Sequence, residues 1–144
     1  MDVKQISVFL ENKPGTLNEM TSVLSKHNVD LRALSLAEAA DFGIARFIVG
    51  NVLDTVTILK EEGYVSSLTP VVIAEIPDEP GALNKLLQIF TDNNINVEYM
   101  YAFLGGAKVD HAYMVFRVHD EVAAGRALAA QDIRLVEQEE ISNL

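Results

Sequence analysis

Apolar and polar residues alternate over residues 4–10, which puts Ile6, Val8 and Leu10 on one face and predicts a half-buried strand. From residue 16 the spacing widens. Leu17, Met20, Val23 and Leu24 form a single stripe and predict a helix over 16–27. Between the two lies Glu11-Asn12-Lys13-Pro14-Gly15, a strand-to-helix turn. Asn28 suits a left-handed helix C-cap. Strands are predicted over 29–37 and 44–49, with a turn at Asp41-Phe42-Gly43 between them. Asn51 caps a helix over 52–62 that Gly63 ends, and residues 65–69 complete the set as a strand.

The same series then begins again at Pro70. Residues 71–76 form a strand, Pro77-Asp78-Glu79-Pro80-Gly81 a turn, and Leu83, Leu86, Leu87 and Phe90 a helical stripe. Further strands are predicted over 95–104, 112–118 and 133–139. Gly105-Gly106 forms a hairpin tip, and Asp120 caps a helix that runs to about residue 130. The two copies keep one register, offset by 66 residues. Pro14-Gly15-Thr16-Leu17-Asn18 matches Pro80-Gly81-Ala82-Leu83-Asn84, and Asn28-Val29-Asp30-Leu31 matches Asn94-Ile95-Asn96-Val97. The expected fold is therefore α+β, two ferredoxin-like βαββαβ units over residues 1–69 and 70–144. A unit of this length is marginal alone and no linker separates the copies, so the units are expected to pack as a pseudo-dimer, sheets side by side.

Composition narrows the function. Hydrophobic residues make up 49% of the 144 residues and charged residues 22%, as in a globular chain. The formal net charge of −10, with no basic stripe, argues against nucleic acid and against an anionic membrane surface. There is no cysteine, which removes thiol nucleophiles and cysteine-ligated metal and suits a reducing, cytoplasmic setting. No secretory signal is read at the N-terminus. His27, His111 and His119 have no metal-ligand spacing, Gly105-Gly106 lacks the Lys-Ser/Thr of a phosphate loop, and no Gly-x-Ser-x-Gly elbow occurs. The carboxylates at Glu61-Glu62 and from Glu137 to Glu140 read as solvated ends of elements. No cofactor, metal or catalytic residue is expected, and the chain is not read as an enzyme.

A strand, then Asn or Asp-x-Pro-Gly-x-Leu, then a helix, then Asn-Val-Asp-Leu or Asn-Ile-Asn-Val resembles the ACT domain, a small regulatory module that binds amino acids. Residues 95–103 further resemble the second unit of stand-alone tandem ACT proteins. The resemblance implies a free amino acid as ligand, with a regulated enzyme or a homo-oligomer as partner. It implies a ligand site between the Pro-Gly turn of one unit and the second strand of the other. The matching residues are Asn12, Pro14, Gly15, Thr16 and Leu17 with Asp30 in the first unit, and Asp78, Pro80, Gly81, Ala82 and Leu83 with Asn96 in the second. Leu10 and Ile76 stand where some members carry a histidine.

Elementary chemistry agrees with that set. The start of a helix offers N–H groups to a carboxylate, and Asn or Asp oxygens accept from an ammonium. Each of these residues also suits a plain turn or cap. If turn and strand pair across the copies, Asn12/Asn96 forms a neutral site and Asp78/Asp30 an acidic one. A neutral amino acid then fills the first before the second. Gly15 and Gly81 are expected to resist larger side chains. The alternative function is a structural interaction module with no small ligand; a small isomerase or mutase is a third and weaker reading.

Overall fold

A computed structural model of the protein describes residues 2–144. The first unit runs β1 (Val3–Glu11), α1 (Thr16–Lys26), β2 (Ala33–Ala39), β3 (Phe42–Ile48) and α2 (Val52–Glu61). A long strand, β4 (Ser66–Pro77), passes from the first unit into the second. There follow α3 (Ala82–Asp92), β5 (Val97–Ala102), β6 (His111–Val118), α4 (Glu121–Ala129), a short β7 (Arg134–Leu135) and a 3-10 helix (Gln138–Asn143).

Local chemistry accounts for the ends of the helices. The side chains of Asn51 and Asp120 accept from the N–H groups of Asp54 and Ala123, so α2 and α4 start where a short polar acceptor stands. At the ends of α1 and α3, Asn28 and Asn94 take φ of 57° and 56°, the left-handed region that asparagine tolerates. The amides one residue on, of Val29 and Ile95, donate back to Leu24 and Phe90 at 3.0 and 2.8 Å. These pairs stand in the 66-residue register of the repeat.

The hydrogen-bonded strand order is β2-β3-β1-β4-β6-β5, with β7 on the free side of the second half of β4. The first half of β4 pairs with β1 and the second half with β6 and β7, so each unit has the ferredoxin-like order. The 69/70 division expected from sequence falls inside this strand. Pro70 is tolerated there although it donates no N–H.

Three apolar clusters form the core. Met20, Leu24 and Leu59 pack on Ile6, Val8 and Phe47 in the first unit, and Leu86, Phe90 and Leu128 pack on Val72, Ala74 and Phe116 in the second. The third cluster joins the units. It gathers Val3, Ala33, Ile48 and Val71 with Tyr101, Phe103 and Val115 from the sheet faces that carry no α-helices, and Ile141 from the 3-10 helix. The ends of the strand path meet at a bridge between Ala33 and Phe103, and the Leu104 amide donates to the Arg32 carbonyl at 2.9 Å.

The sheets lie side by side, continuous through β4, and their helix-free faces share a common core. The reason is area: the inner faces of both units carry large apolar groups that a flat sheet leaves in water. One polar patch lies inside. Gln5 is fully buried, donates to the Tyr99 hydroxyl at 2.8 Å and to Ser7 Oγ at 3.2 Å, and accepts from the Tyr101 hydroxyl at 2.7 Å. The Arg46 guanidinium lies 3.9 Å from the centre of the Tyr99 ring.

The last expected strand, over 133–139, stops at Leu135. Beyond it Glu137 and Glu140 form a reciprocal capping box that turns the chain into the 3-10 helix. That helix straps the second unit to the first. Gln138 Nε2 donates to the carbonyls of Val49 and Gly50, both at 3.1 Å, and Ile141 is buried in the shared core.

Candidate functional site

The two Pro-Gly turns have almost the same backbone. Gly15 has φ 90° and ψ −15°, and Gly81 has φ 88° and ψ −12°. Each is the residue before a helix, and among the described residues no side chain caps either helix; the Thr16 and Ala82 amides donate back to the carbonyls of Lys13 and Glu79 at 3.4 and 3.2 Å, which leaves the next two amides of each helix uncapped. A Cβ placed on either glycine meets nothing within 4 Å. The glycines are therefore required by the left-handed backbone, and the space above them is open.

At the first turn, the Asn12 amide donates to Asp41 O at 3.0 Å and its Nδ2 to Ala40 O at 3.1 Å. This holds Asn12 against the β2–β3 turn and leaves Oδ1 as an acceptor. Thr16 Oγ1 donates to Glu11 O at 2.7 Å, which closes the loop. Lys13 and Glu11 pair at 2.7 Å on the surface; the hydrogen bond from Lys13 holds the Glu11 carboxyl below its usual range. A hollow of about 230 Å³ lies here, lined by Asn12, Gly15, Thr16 and Leu17 together with Leu36 and Glu38. Leu17 also packs on the first unit's core, as Leu83 does in the second.

At the second turn the surroundings differ. The Asp78 amide donates to Asp110 O at 2.8 Å, in the longer loop between β5 and β6. A cavity of about 610 Å³ opens beside the turn. Of the residues expected at a site, Ala82 lines it, whereas Asp78, Pro80, Gly81, Leu83 and Asn96 do not. Its walls include Glu75, Lys85, Ile89, Lys108 and Arg134. The Glu75 carboxylate is almost wholly buried, accepts from Arg134 Nη1 at 3.0 Å and lies 3.8 Å from Lys108 Nζ.

Asp30 is elsewhere. It pairs with Arg32 Nη1 at 3.2 Å and lines a hollow with Gly50, Asn51 and Ser142. Arg32 Nη2 also donates to the Leu144 carbonyl, while its Nε is buried with no hydrogen-bond partner among the described residues. The hollow that Asn12 lines draws no residue from the second unit, and the hollows that Asp30 lines do not include Asp78. No group of three or more His, Cys, Asp or Glu able to hold a metal occurs among the described residues.

Two tandem ferredoxin-like units, each opening with a glycine turn onto a bare helix start, define a class. The chain belongs to the ACT domain pair family, which it matches over residues 1–144. It is similar to protein BT0572 from Bacteroides thetaiotaomicron, with 37% identity, 100% of this chain and 98% of that chain covered, and a TM-score of 0.91. The fold is also shared with the ligand-free regulatory subunit of aspartate kinase from Thermus thermophilus, at 16% identity, 90% and 93% coverage and a TM-score of 0.65. The regulatory subunit from Thermus flavus is comparable, with 16% identity, 90% and 92% coverage and a TM-score of 0.61. Among proteins with curated descriptions, none matches. No helix among the described residues is long and apolar enough to cross a membrane.

Proposed function

We propose that this protein is a non-enzymatic regulatory module that binds a free amino acid at its first Pro-Gly turn. The observation that carries the reading is the start of α1, capped by no side chain, beside a hollow lined by Asn12 and Glu38. A carboxylate is stabilised by the uncapped N–H groups after Thr16 and the positive end of the helix dipole. The ammonium is received by Asn12 Oδ1 and by the Glu38 carboxylate. The volume, about 230 Å³, lies below the range for drug-sized ligands and suits a small amino acid. Pro14 fixes φ ahead of the turn, and Gly15 supplies its left-handed step.

The second turn, with Asp78, Pro80, Gly81, Ala82 and Leu83, repeats the backbone without the same hollow. Asn96 and Asp30 line no common hollow with a Pro-Gly turn, and a second copy of the chain in a homo-oligomer would supply them to one. The setting is cytoplasmic and the output is a change in a regulated partner. The support is membership of the ACT family and a fold shared with regulatory subunits of aspartate kinase.

A thermal-shift screen of the common amino acids tests the reading. At least one should raise the melting temperature in a concentration-dependent way, and Asn12→Ala should lessen that rise. No response to any of them would reject amino-acid binding.

A second reading has its own observation. The helix-free face of the first unit is left bare beyond Ser7, where Phe9 and Phe42 are 47% and 44% exposed with ring centres 6.3 Å apart. Such a patch suits docking to another protein.

A further inference from the structure

We propose that the cavity between the end of β4, the first turns of α3 and β7 is a second ligand site, for a small amphipathic carboxylate. The site does not depend on the amino-acid reading of the first turn. Its volume, about 610 Å³, falls within the range of small-molecule pockets, unlike the 230 Å³ hollow at Asn12. Ile76, Leu86, Ile89 and Ile133 supply an apolar wall. That wall is large enough for a hydrocarbon or aryl body rather than a short side chain.

The charges select the head group. The chain carries −10 overall and repels anions, so an anionic ligand needs local cations. Of the eleven Lys and Arg residues, Lys85, Lys108 and Arg134 line this one cavity. Arg134 is held by Glu75 and Glu140, and the buried Glu75 thereby has its charge compensated. Glu75 with Arg134 forms a fixed floor and is not available to a ligand cation. Among the described residues Lys85 has no ion pair, and Lys108 lies at the longer distance of 3.8 Å from Glu75 and is largely exposed. These two ammonium groups remain to receive a carboxylate, with the apolar body on the isoleucine wall. Glu79 and Asp132, the other acids lining the cavity, are exposed as Lys85 and Lys108 are, so solvent and salt screen repulsion and attraction there alike.

The first unit offers no counterpart. The repeat places Phe9 where Glu75 stands and Glu19 where Lys85 stands, so the cationic lining is a property of the second unit alone.

The test holds the apolar body constant and changes the head group. 4-Phenylbutyrate and 4-phenylbutylamine are titrated into the full chain by calorimetry, and into Lys85→Ala/Lys108→Ala, Ile89→Ser and a Lys60→Ala control on the far unit. Saturable binding of phenylbutyrate is expected. It should weaken at least about tenfold in the double lysine variant, as for lost hydrogen bonds to a charged group. It should weaken in Ile89→Ser and stay unchanged in Lys60→Ala. Absence of saturable binding would overturn the proposal. So would equal affinity for the amine, or a double lysine variant that binds as the unmodified chain does. A positive amino-acid screen alongside a negative phenylbutyrate titration would remove this site and leave the first turn standing.

Discussion

The Tyr101 hydroxyl donates to Gln5 Oε1 at 2.7 Å, from the second unit to the first, inside the core that the two sheets enclose. The same Gln5 side chain donates to Tyr99, so one residue of β1 holds two tyrosines of β5. Tyr101→Phe leaves a buried amide oxygen without its donor and should cost about 1–3 kcal/mol of stability. Gln5→Leu leaves both hydroxyls unpaired and should cost at least as much. The double variant should lose less than the sum, because the two changes remove one network. Chemical denaturation of the four proteins measures this.

Burial, followed by the neighbouring Tyr99, raises the Tyr101 hydroxyl above its ordinary value, against a smaller opposing effect of Arg46. In the unfolded chain the hydroxyl titrates near the ordinary phenol value of about 10. Below that pH both states keep the proton and the stabilisation is fully present. Above it the unfolded chain releases a proton that the folded chain retains, so stability falls as pH rises, by about 1.4 kcal/mol per pH unit for this group. Tyr101→Phe should flatten the alkaline slope of stability against pH by that amount. An identical slope in both proteins would contradict the buried hydroxyl.

Gly50 sits under the C-terminal strap. A Cβ there would lie 1.9 Å from Ser142 Oγ and 3.1 Å from Ser142 Cβ. Gly50→Ala should therefore displace the 3-10 helix and lower stability by about 1–3 kcal/mol, the range for overpacking. Ser142→Gly should restore part of the loss in the double variant, since the nearest remaining atom is then at 3.5 Å. Thermal melts of the single and double variants check the compensation.

Gly15→Ala and Gly81→Ala should each cost about 1 kcal/mol for the left-handed backbone, a fall in melting temperature of about 4 °C. Since the space above both glycines is open, the two losses should be alike. Unequal losses would mean that one turn is held by more than its φ.

Helices and turns were legible in the sequence because their signals are local. Asn51 and Asp120 announce helix starts, and the two Pro-Gly turns announce themselves by repetition. The second strand begins at 33 rather than at 29, where the sequence pattern predicts it. The reason is that Val29 and Leu31 are apolar for the core and yet lie in a connection. The enclosure of one sheet face by the other was hidden for a plainer reason. Gln5 and Ser7 read as a solvent-facing row, and only the tyrosine hydroxyls of the other unit make a polar row tolerable inside. The larger cavity draws Glu75, Lys85, Lys108 and Arg134 from separate elements, with no spacing that marks them as a set.

Amide-resolved NMR of the labelled chain, titrated with the amino acid that gives the largest thermal shift, tests the central claim most directly. Binding at the first turn predicts that the amide signals of Gly15, Thr16 and Leu17 and the side-chain amide of Asn12 move first and saturate together, with Asn12→Ala weakening the effect. Saturable shifts confined to other parts of the chain, with those four signals unmoved, would contradict the account.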